Sequence, residues 1–222
     1  MAENNLTEVV FILDKSGSMW ELRDDTIGGF NSMLEKQKAT DNQVLVSTIL
    51  FDDVLKVVHD RVPIAEVKPM TREDYDPDGC TALLDAMGST IKHIQKIHKY
   101  AREEDRPAKT LFIITTDGME NSSTRFSSAD VKKLVEAQKE IGWEFLFVGA
   151  NIDAIETAGR FGIAANRAVN YHSDHIGTRK AFDAFGGLMY CFAAAPIGAA
   201  RAFDESMLDD LKKDFEERNP NK

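Results

Sequence analysis

Cysteine is scarce in this 222-residue chain, which contains only Cys80 and Cys191. Two cysteines so far apart exclude a disulfide framework and a cysteine-rich zinc site, so we expect reduced thiols in a cytoplasmic protein. Long apolar segments are also missing. The most apolar stretch, 181–200, is interrupted by Asp183 and Pro196, which excludes a membrane-spanning helix. The first residues are polar and acidic, so no secretory leader is expected.

Positive charge is in deficit, with 27 Lys and Arg against 37 Asp and Glu and a net charge of −10. This balance excludes nucleic acid and anionic membranes as the main partners. The nearest thing to a basic patch is Lys132–Lys133, which we interpret as a solvated helix face. There is no internal repeat or low-complexity linker. We therefore predict one domain over 1–222, with a core at about 6–200 and a helical extension at about 201–222.

Apolar runs of strand length alternate with amphipathic segments of helix length, which predicts an α/β fold with a mostly parallel sheet and helices on both faces. Only Asp52–Val54 separates the second and third strands, so these two are predicted to form an antiparallel hairpin at a sheet edge. The predicted strands are 8–13, 43–51, 55–62, 110–116, 143–149 and 168–171. The predicted helices are 24–40, 82–103, 128–141, 154–161, 176–195 and 204–218.

The segment Asp14-Lys15-Ser16-Gly17-Ser18 directly follows the apolar run 9–13. One carboxylate and two hydroxyls therefore alternate with other residues in a short loop after a buried strand. Oxygen donors that converge in this way suit a hard divalent cation such as Mg²⁺. The alternative is that Asp14, Ser16 or Ser18 only caps the helix that follows.

Two later segments place further oxygen donors at element boundaries. Thr81 stands at the entrance to the long helix, and Asp117 directly follows the strand 110–116. Ligand sites in α/β proteins form at such boundaries, outside the carboxyl ends of the strands. Asp14, Ser16, Ser18, Thr81 and Asp117 are thus the candidate metal ligands.

These five residues, in this order, resemble the metal-ion-dependent adhesion site of the von Willebrand factor type A (vWA) family, most of all its stand-alone bacterial and phage members. The resemblance implies a Rossmann-like, doubly wound sheet of about six strands with the third antiparallel. It also implies a bound Mg²⁺ or Mn²⁺ with one open coordination position. In this family the Ser hydroxyls bind the metal directly and an acidic residue of another protein completes its shell. We accordingly expect a monomeric, non-enzymatic protein-binding module.

The residues beside such a metal are expected to select the partner. Met19 and Trp20 follow Ser18 in the sequence, and Met119 and Glu120 follow Asp117. Apolar and aromatic side chains around an ion form the kind of amphipathic surface that serves recognition. The alternative for Trp20 is that it packs over the first helix as peripheral core.

Two other functions are considered. Asp14 after a strand also resembles the nucleophile of Mg²⁺-dependent phosphatases of the haloacid dehalogenase type. That chemistry needs a second Asp two residues later as general acid, and this position is Ser16. His172 and His175 lie close enough in sequence to share a metal, but no third ligand stands at a supporting spacing. No residue is therefore assigned a catalytic role.

Overall fold

Strands and helices alternate along the chain, as the sequence predicts. The computed structural model describes residues 5–196 and 205–219. Its strands are β1 (Thr7–Asp14), β2 (Val44–Phe51), β3 (Leu55–Pro63), β4 (Lys109–Thr116), β5 (Glu144–Gly149) and β6 (Ala168–Asn170). Its helices are α1 (Arg23–Lys38), α2 (Leu83–Tyr100), α3 (Ser128–Glu140), α4 (Ala154–Arg160), α5 (His175–Ala194) and α6 (Asp209–Arg218).

The six strands form one sheet in the order β3-β2-β1-β4-β5-β6. β3 pairs antiparallel with β2 at one edge, and the other neighbours are parallel. From β1 the chain winds outward in one direction through β2 and β3, and from β4 it winds in the other direction. The carboxyl ends of β1 and β4 therefore lie side by side at the point where the strand order reverses. Such a switch point leaves a crevice above the strand ends.

The sheet is buried on both faces, which explains why its central strands are continuously apolar. Along β1, Val9, Phe11 and Leu13 face a core cluster built with α1 and α5. Val10 and Ile12 face the opposite cluster, built with α2, α3 and α4. All five side chains are at most 1% exposed. The hydrophobic core thus has two layers separated by the sheet.

Local hydrogen bonds fix where the helices begin and end. Ser127 and Asp130 form a reciprocal capping box at the start of α3, and Asp174 caps α5 by accepting from the Gly177 N–H. At the other end of α5, the buried Lys109 Nζ donates to the carbonyls of residues 192, 193 and 195 at 2.7–3.0 Å. A cation at this position satisfies carbonyls that the helix leaves unpaired.

The predicted fold class is confirmed, including the antiparallel third strand at the edge of the sheet. Element ends differ by a few residues. The long helix ends at Tyr100 rather than 103, because Ala101 adopts an extended conformation. The last helix begins at Asp209 after a short 3₁₀ turn, and its predicted first residue, 204, lies outside the described residues. The division into core and extension stays a prediction. No helix among the described residues is long and apolar enough to cross a membrane.

Candidate metal centre at the switch point of the sheet

The loop after β1 turns its polar groups toward the end of β4. The Ser16 N–H donates to Asp14 Oδ1 at 2.7 Å, which bends the chain back on itself directly after the strand. Ser16 Oγ lies 3.1 Å from Ser18 Oγ. The three predicted donors of this loop therefore stand together, as their alternating spacing suggested.

Asp117 joins this group from β4. Its Oδ1 accepts a hydrogen bond from Ser18 Oγ at 2.6 Å, across 99 residues of sequence. Thr116, the last residue of β4, donates its hydroxyl to Asp14 Oδ2 at 2.7 Å. Asp14, Ser16, Ser18 and Asp117 thus form one continuous hydrogen-bonded cluster at the switch point of the sheet.

Thr81 reaches the cluster from the loop before α2. Its backbone N–H donates to Asn121 Oδ1 at 2.9 Å, and its carbonyl accepts from the Asn121 N–H at 3.1 Å. These two bonds hold it against the loop that follows β4. Thr81 Oγ1 lies 3.7 Å from where a Cβ would stand on Gly118, the residue next to Asp117. The Thr81 hydroxyl therefore lies beside the residue that follows Asp117, and the other four predicted ligands are joined to one another by hydrogen bonds.

Both carboxylates are removed from water, since Asp14 is 1% exposed and Asp117 is 3% exposed. Burial raises the pKa of Asp14 above its ordinary value, and the charge of Asp117 raises it further, against hydrogen bonds from Thr116 and Ser16. Burial likewise raises the pKa of Asp117, against hydrogen bonds from Ser18 and Ser173. Two desolvated carboxyl groups side by side disfavour their own ionisation.

No basic side chain among the described residues relieves this repulsion through an ion pair with either carboxylate. Lys15, the basic residue of the loop, turns away and pairs with Asp52 after β2. Beneath the cluster, the buried Tyr75 donates its hydroxyl to the Asp14 carbonyl at 2.5 Å. Burial, together with the charges of Asp14 and Asp117, raises the pKa values of Tyr75 and Tyr171. Both phenols therefore stay neutral, and neither adds a charge to the site.

The donor set fits a hard divalent cation. It consists of two carboxylates and three hydroxyls, without sulfur or imidazole, which is the chemistry that Mg²⁺ and Mn²⁺ prefer. Across residues 5–196 and 205–219, no group of three His, Cys, Asp or Glu side chains is placed to hold a metal. The candidate site contains only two such side chains, Asp14 and Asp117, and its other oxygen donors are serine and threonine hydroxyls. His172 and His175 diverge, because His172 packs against Phe215 and His175 contacts Asp25.

The four residues predicted to face a partner are placed differently from one another. Trp20 is 58% exposed and Met119 is 75% exposed, so both present apolar surface beside the site. Met19 points inward instead and is 4% exposed, within the core cluster under α1. Both oxygens of Glu120 accept hydrogen bonds from within the chain, including one from the Leu84 N–H at the start of α2. Glu120 therefore serves to hold α2 against the loop after β4.

Sequence reasoning missed several residues that build the site. Thr116 orients Asp14, and Asn121 holds Thr81 in place. Ser173, in the loop after β6, lies 3.5 Å from Asp117 Oδ2. The position of Thr116 next to Asp117, at the end of a predicted strand, was a usable signal. Nothing in the sequence near Ser173 indicated that this loop returns to the site.

No family profile matches the chain, and no curated protein matches it in sequence. Solved structures do match. The vWF domain of the type V pili tip protein Mfa5 from Porphyromonas gingivalis has a TM-score of 0.58 at 11% identity, over 86% of this chain and 97% of that one. A von Willebrand factor type A protein from Catenulispora acidiphila has a TM-score of 0.54 at 16% identity, over 82% of this chain and 42% of that one.

The chain has the vWA fold. A third matching structure is described as containing a MIDAS motif, which is the metal-ion-dependent adhesion site that the five candidate ligands resemble. Proximal thread matrix protein 1 from the mussel byssus, solved with a zinc-occupied MIDAS motif, has a TM-score of 0.54 at 12% identity, over 82% of this chain and 45% of that one. This chain spans less than half the length of the Catenulispora and mussel proteins. At identities of 11–16%, these likenesses extend to the vWA fold alone.

Proposed function

We propose that this chain is a metal-dependent protein-binding module without enzymatic activity. In this proposal Asp14, Ser16, Ser18, Thr81 and Asp117 hold Mg²⁺ or Mn²⁺, and an Asp or Glu of another protein completes the coordination shell. One observation carries the proposal: two buried carboxylates and two serine hydroxyls meet at the switch point, and no basic side chain in 5–196 or 205–219 pairs with them. When bound, a divalent cation supplies the positive charge that this arrangement lacks.

The exposure of the cluster indicates the side from which a partner reaches it. Asp14 and Ser16 are buried, whereas Ser18 is exposed. Trp20 follows Ser18 by two residues, and Met119 follows Asp117 by two residues. Both side chains are exposed and provide apolar contact area around a central ionic contact. Aromatic and methionine side chains of this kind are favoured in protein interfaces. The surface therefore suits a protein loop that presents a carboxylate at its tip.

The alternative, a Mg²⁺-dependent phosphatase using Asp14 as nucleophile, is disfavoured by the geometry. Both carboxylate oxygens of Asp14 accept hydrogen bonds, from the Ser16 N–H and from the Thr116 hydroxyl, and the residue is 1% exposed. An attacking carboxylate must reach the phosphorus atom, which this burial prevents. Position 16 also lacks the acid that such a reaction requires. Turnover of p-nitrophenyl phosphate with Mg²⁺, lost in Asp14→Asn, would restore the enzyme hypothesis.

The cytoplasmic location, the monomeric state and the preference for Mg²⁺ or Mn²⁺ remain part of the proposal. Two unpaired thiols, at the exposed Cys80 and the partly buried Cys191, support a reducing compartment. Cell fractionation tests the location. Light scattering after size exclusion tests the monomeric state, and a stable dimer would contradict it.

Metal binding is tested by titrating Mn²⁺ into the protein and following the free ion by electron paramagnetic resonance. The test variant is Asp14→Asn, which keeps the shape of the side chain and removes its charge. The matched control is Asp41→Asn, because Asp41 is exposed in the loop before β2, at the opposite edge of the sheet. We expect saturation at one Mn²⁺ for the wild type and the control, and none for Asp14→Asn. Equal binding by all three proteins would contradict the assignment.

Partner binding is tested separately, with the immobilised protein presented to a lysate of its source cells. The same protein should be captured in Mg²⁺ by the wild type and by Asp41→Asn, and it should be lost in chelator and with Asp14→Asn. Replacing individual acidic residues of that partner should then identify the one that completes the metal shell. Capture that persists in chelator at wild-type affinity would place the interaction on another face.

A further inference from the structure

A groove lies at the amino-terminal ends of β4 and β5, whereas the candidate metal centre lies at the carboxyl ends of the strands. The charged side chains that line this groove are all basic. It runs between α2 and α3 and has a volume of about 1120 Å³. Its floor includes Thr110 at the start of β4 and Trp143 just before β5. Among the described residues that line it, none is acidic, although the chain carries a net charge of −10. We call it the basic groove.

Three lysines of α2 form a stripe along the basic groove. Lys92, Lys96 and Lys99 are four and three residues apart, so they lie on one face of the helix. All three are exposed. Within the described part of the chain, none has a carboxylate at ion-pair distance; Lys92 lies over the Phe126 ring and Lys99 over the Tyr100 ring. Lys92 also interacts electrostatically with the Asp130 carboxylate. The positive charge available to an outside anion is therefore mainly that of Lys96 and Lys99.

Gln138 provides a second, independent observation. It lines the basic groove from α3 and is 3% exposed. Its side-chain oxygen Oε1 is buried and accepts no hydrogen bond. An unpaired buried acceptor costs free energy, which is recovered when the side chain turns toward the groove and accepts an N–H from a ligand. Exposed Tyr100 and Ile141 add apolar surface to the same groove.

We propose that the basic groove binds a short acidic peptide segment of a partner protein. Carboxylates of the peptide pair with the lysine stripe, and one of its backbone N–H groups donates to Gln138. The spacing supports an extended peptide, because lysines three and four residues apart are separated by ~4.5 and ~6 Å along a helix axis. Alternate residues of an extended chain lie ~6.6 Å apart on one side. Acidic residues at every second position therefore face the stripe.

A peptide is favoured over nucleic acid for two reasons. The net charge of −10 repels a long polyanion, whereas a peptide with a few carboxylates interacts with the local positive surface. The repeating backbone of a nucleic acid also carries no N–H, so only its bases could donate to Gln138, whereas almost every residue of a peptide brings a backbone N–H. Because the basic groove and the metal centre lie at opposite edges of the sheet, binding in the groove does not depend on the metal.

The test uses fluorescence anisotropy in chelator, so that the metal centre cannot contribute. The probe is a labelled 12-residue peptide with Glu and Ser at alternate positions; the references are the same peptide with Gln for Glu and a labelled dT12 oligonucleotide. We expect the Glu peptide to bind, the Gln peptide to bind at least tenfold more weakly, and affinity to fall as salt rises. Equal binding of the two peptides, or tighter binding of dT12, would overturn the proposal.

Variants then locate the binding site. Lys96→Gln/Lys99→Gln should weaken binding of the Glu peptide at least tenfold. Lys132→Gln/Lys213→Gln is the matched control, because these exposed lysines lie outside the groove and pair with Glu136 and Glu217. Gln138→Met should weaken binding severalfold while the melting temperature is retained. If the groove variants bind as the wild type does, the basic groove is not the peptide site.

Discussion

Single side chains at the switch point have distinct roles, and Ser18 is the most informative. Its hydroxyl contacts both Ser16 and Asp117, and it is an exposed member of the cluster. Ser16, Thr81 and Thr116, by contrast, are buried. Removal of the Ser18 hydroxyl therefore tests the site without disturbing the core.

We predict that Ser18→Ala lowers Mn²⁺ affinity by at least roughly 10–100-fold, because losing a ligand costs no less than losing a group that orients a ligand, for which this range is typical. The melting temperature in chelator should stay within about 1–2 °C of the wild type, because exposed substitutions change stability by only ~0.5 kcal/mol. Ser32→Ala, at an exposed position of α1, is the control. Unchanged affinity in Ser18→Ala would remove Ser18 from the ligand set.

The pH dependence follows from the raised pKa values of Asp14 and Asp117. Because both pKa values lie above their unfolded values near 3.8, the metal-free fold gains stability as the pH falls through the folded pKa values and loses it as the pH rises. Metal binding needs both carboxyl groups ionised, so metal affinity falls as the pH falls through the same pKa values.

The difference in melting temperature between Mg²⁺ and chelator should therefore shrink as the pH is lowered from 7.5 toward 3.8, the ordinary pKa of an Asp carboxyl group. Thermal unfolding in matched buffers measures it. The double variant Asp14→Asn/Asp117→Asn should show almost no difference at any of these pH values. A wild-type difference that stays constant across this pH range would contradict the assignment of these two carboxylates.

At the scale of elements, α2 and the loop after β4 are held together by two carboxylates, those of the buried Asp85 and the partly buried Glu120. Asp85, in the first turn of α2, accepts backbone N–H bonds from Thr124, Arg125 and Phe126 at 2.9–3.0 Å. Glu120 makes the reverse contact, from the loop to the Leu84 N–H. Thr81 lies just before α2, and Asp117 lies at the start of the loop after β4. The hydrogen bonds of Asp85 and Glu120 therefore set the relative position of these two candidate ligands.

Asp85→Asn is therefore expected to lower the free energy of unfolding by ~1–3 kcal/mol, because an amide cannot accept all three hydrogen bonds. It should also weaken Mn²⁺ binding, since Thr81 loses its fixed position beside Gly118. Urea denaturation and Mn²⁺ titration measure the two effects. Asp183→Asn, at an exposed position of α5, should change neither quantity appreciably.

Two helical glycines make a matched pair for packing. A Cβ on Gly88 of α2 would lie 2.5 Å from the Phe126 ring, so this glycine permits the loop to approach the helix. A Cβ on Gly28 of α1 would meet nothing within 4 Å. We predict that Gly28→Ala raises the free energy of unfolding by ~0.5–1 kcal/mol and that Gly88→Ala lowers it by ~1–3 kcal/mol. Stabilisation by both substitutions, in urea denaturation, would show that Phe126 is not tightly packed.

At the scale of the molecule, the metal centre and the hydrophobic core are separate. The two core clusters fill both faces of the sheet and include none of the five candidate ligands. We therefore predict that the chain folds without metal and that chelator leaves its far-ultraviolet circular dichroism unchanged. A cation at 100 times its Kd adds ~2.7 kcal/mol, which raises the melting temperature by roughly 5–10 °C. Unfolding on addition of chelator would contradict this separation.

Much of this architecture was predictable from the sequence, because strand and helix periodicity are local properties of the chain. The hairpin between β2 and β3 follows from their three-residue connection, and parallel pairing follows from the alternation with helices. The vWA-type ligand pattern was equally visible, since its members lie at strand and helix ends.

By itself, the sequence determined the order and type of the elements and the local spacing of Asp14, Ser16 and Ser18. Only the tertiary structure decided which side chains meet across the sheet. Strand register brings Ser18 to Asp117, and helix rotation buries Met19 while it exposes Trp20. The basic groove was also decided only by the tertiary structure, because whether a lysine pairs with a carboxylate depends on neighbours that are distant in sequence. Local periodicity specifies the backbone, whereas the direction of each side chain is settled only when the elements pack.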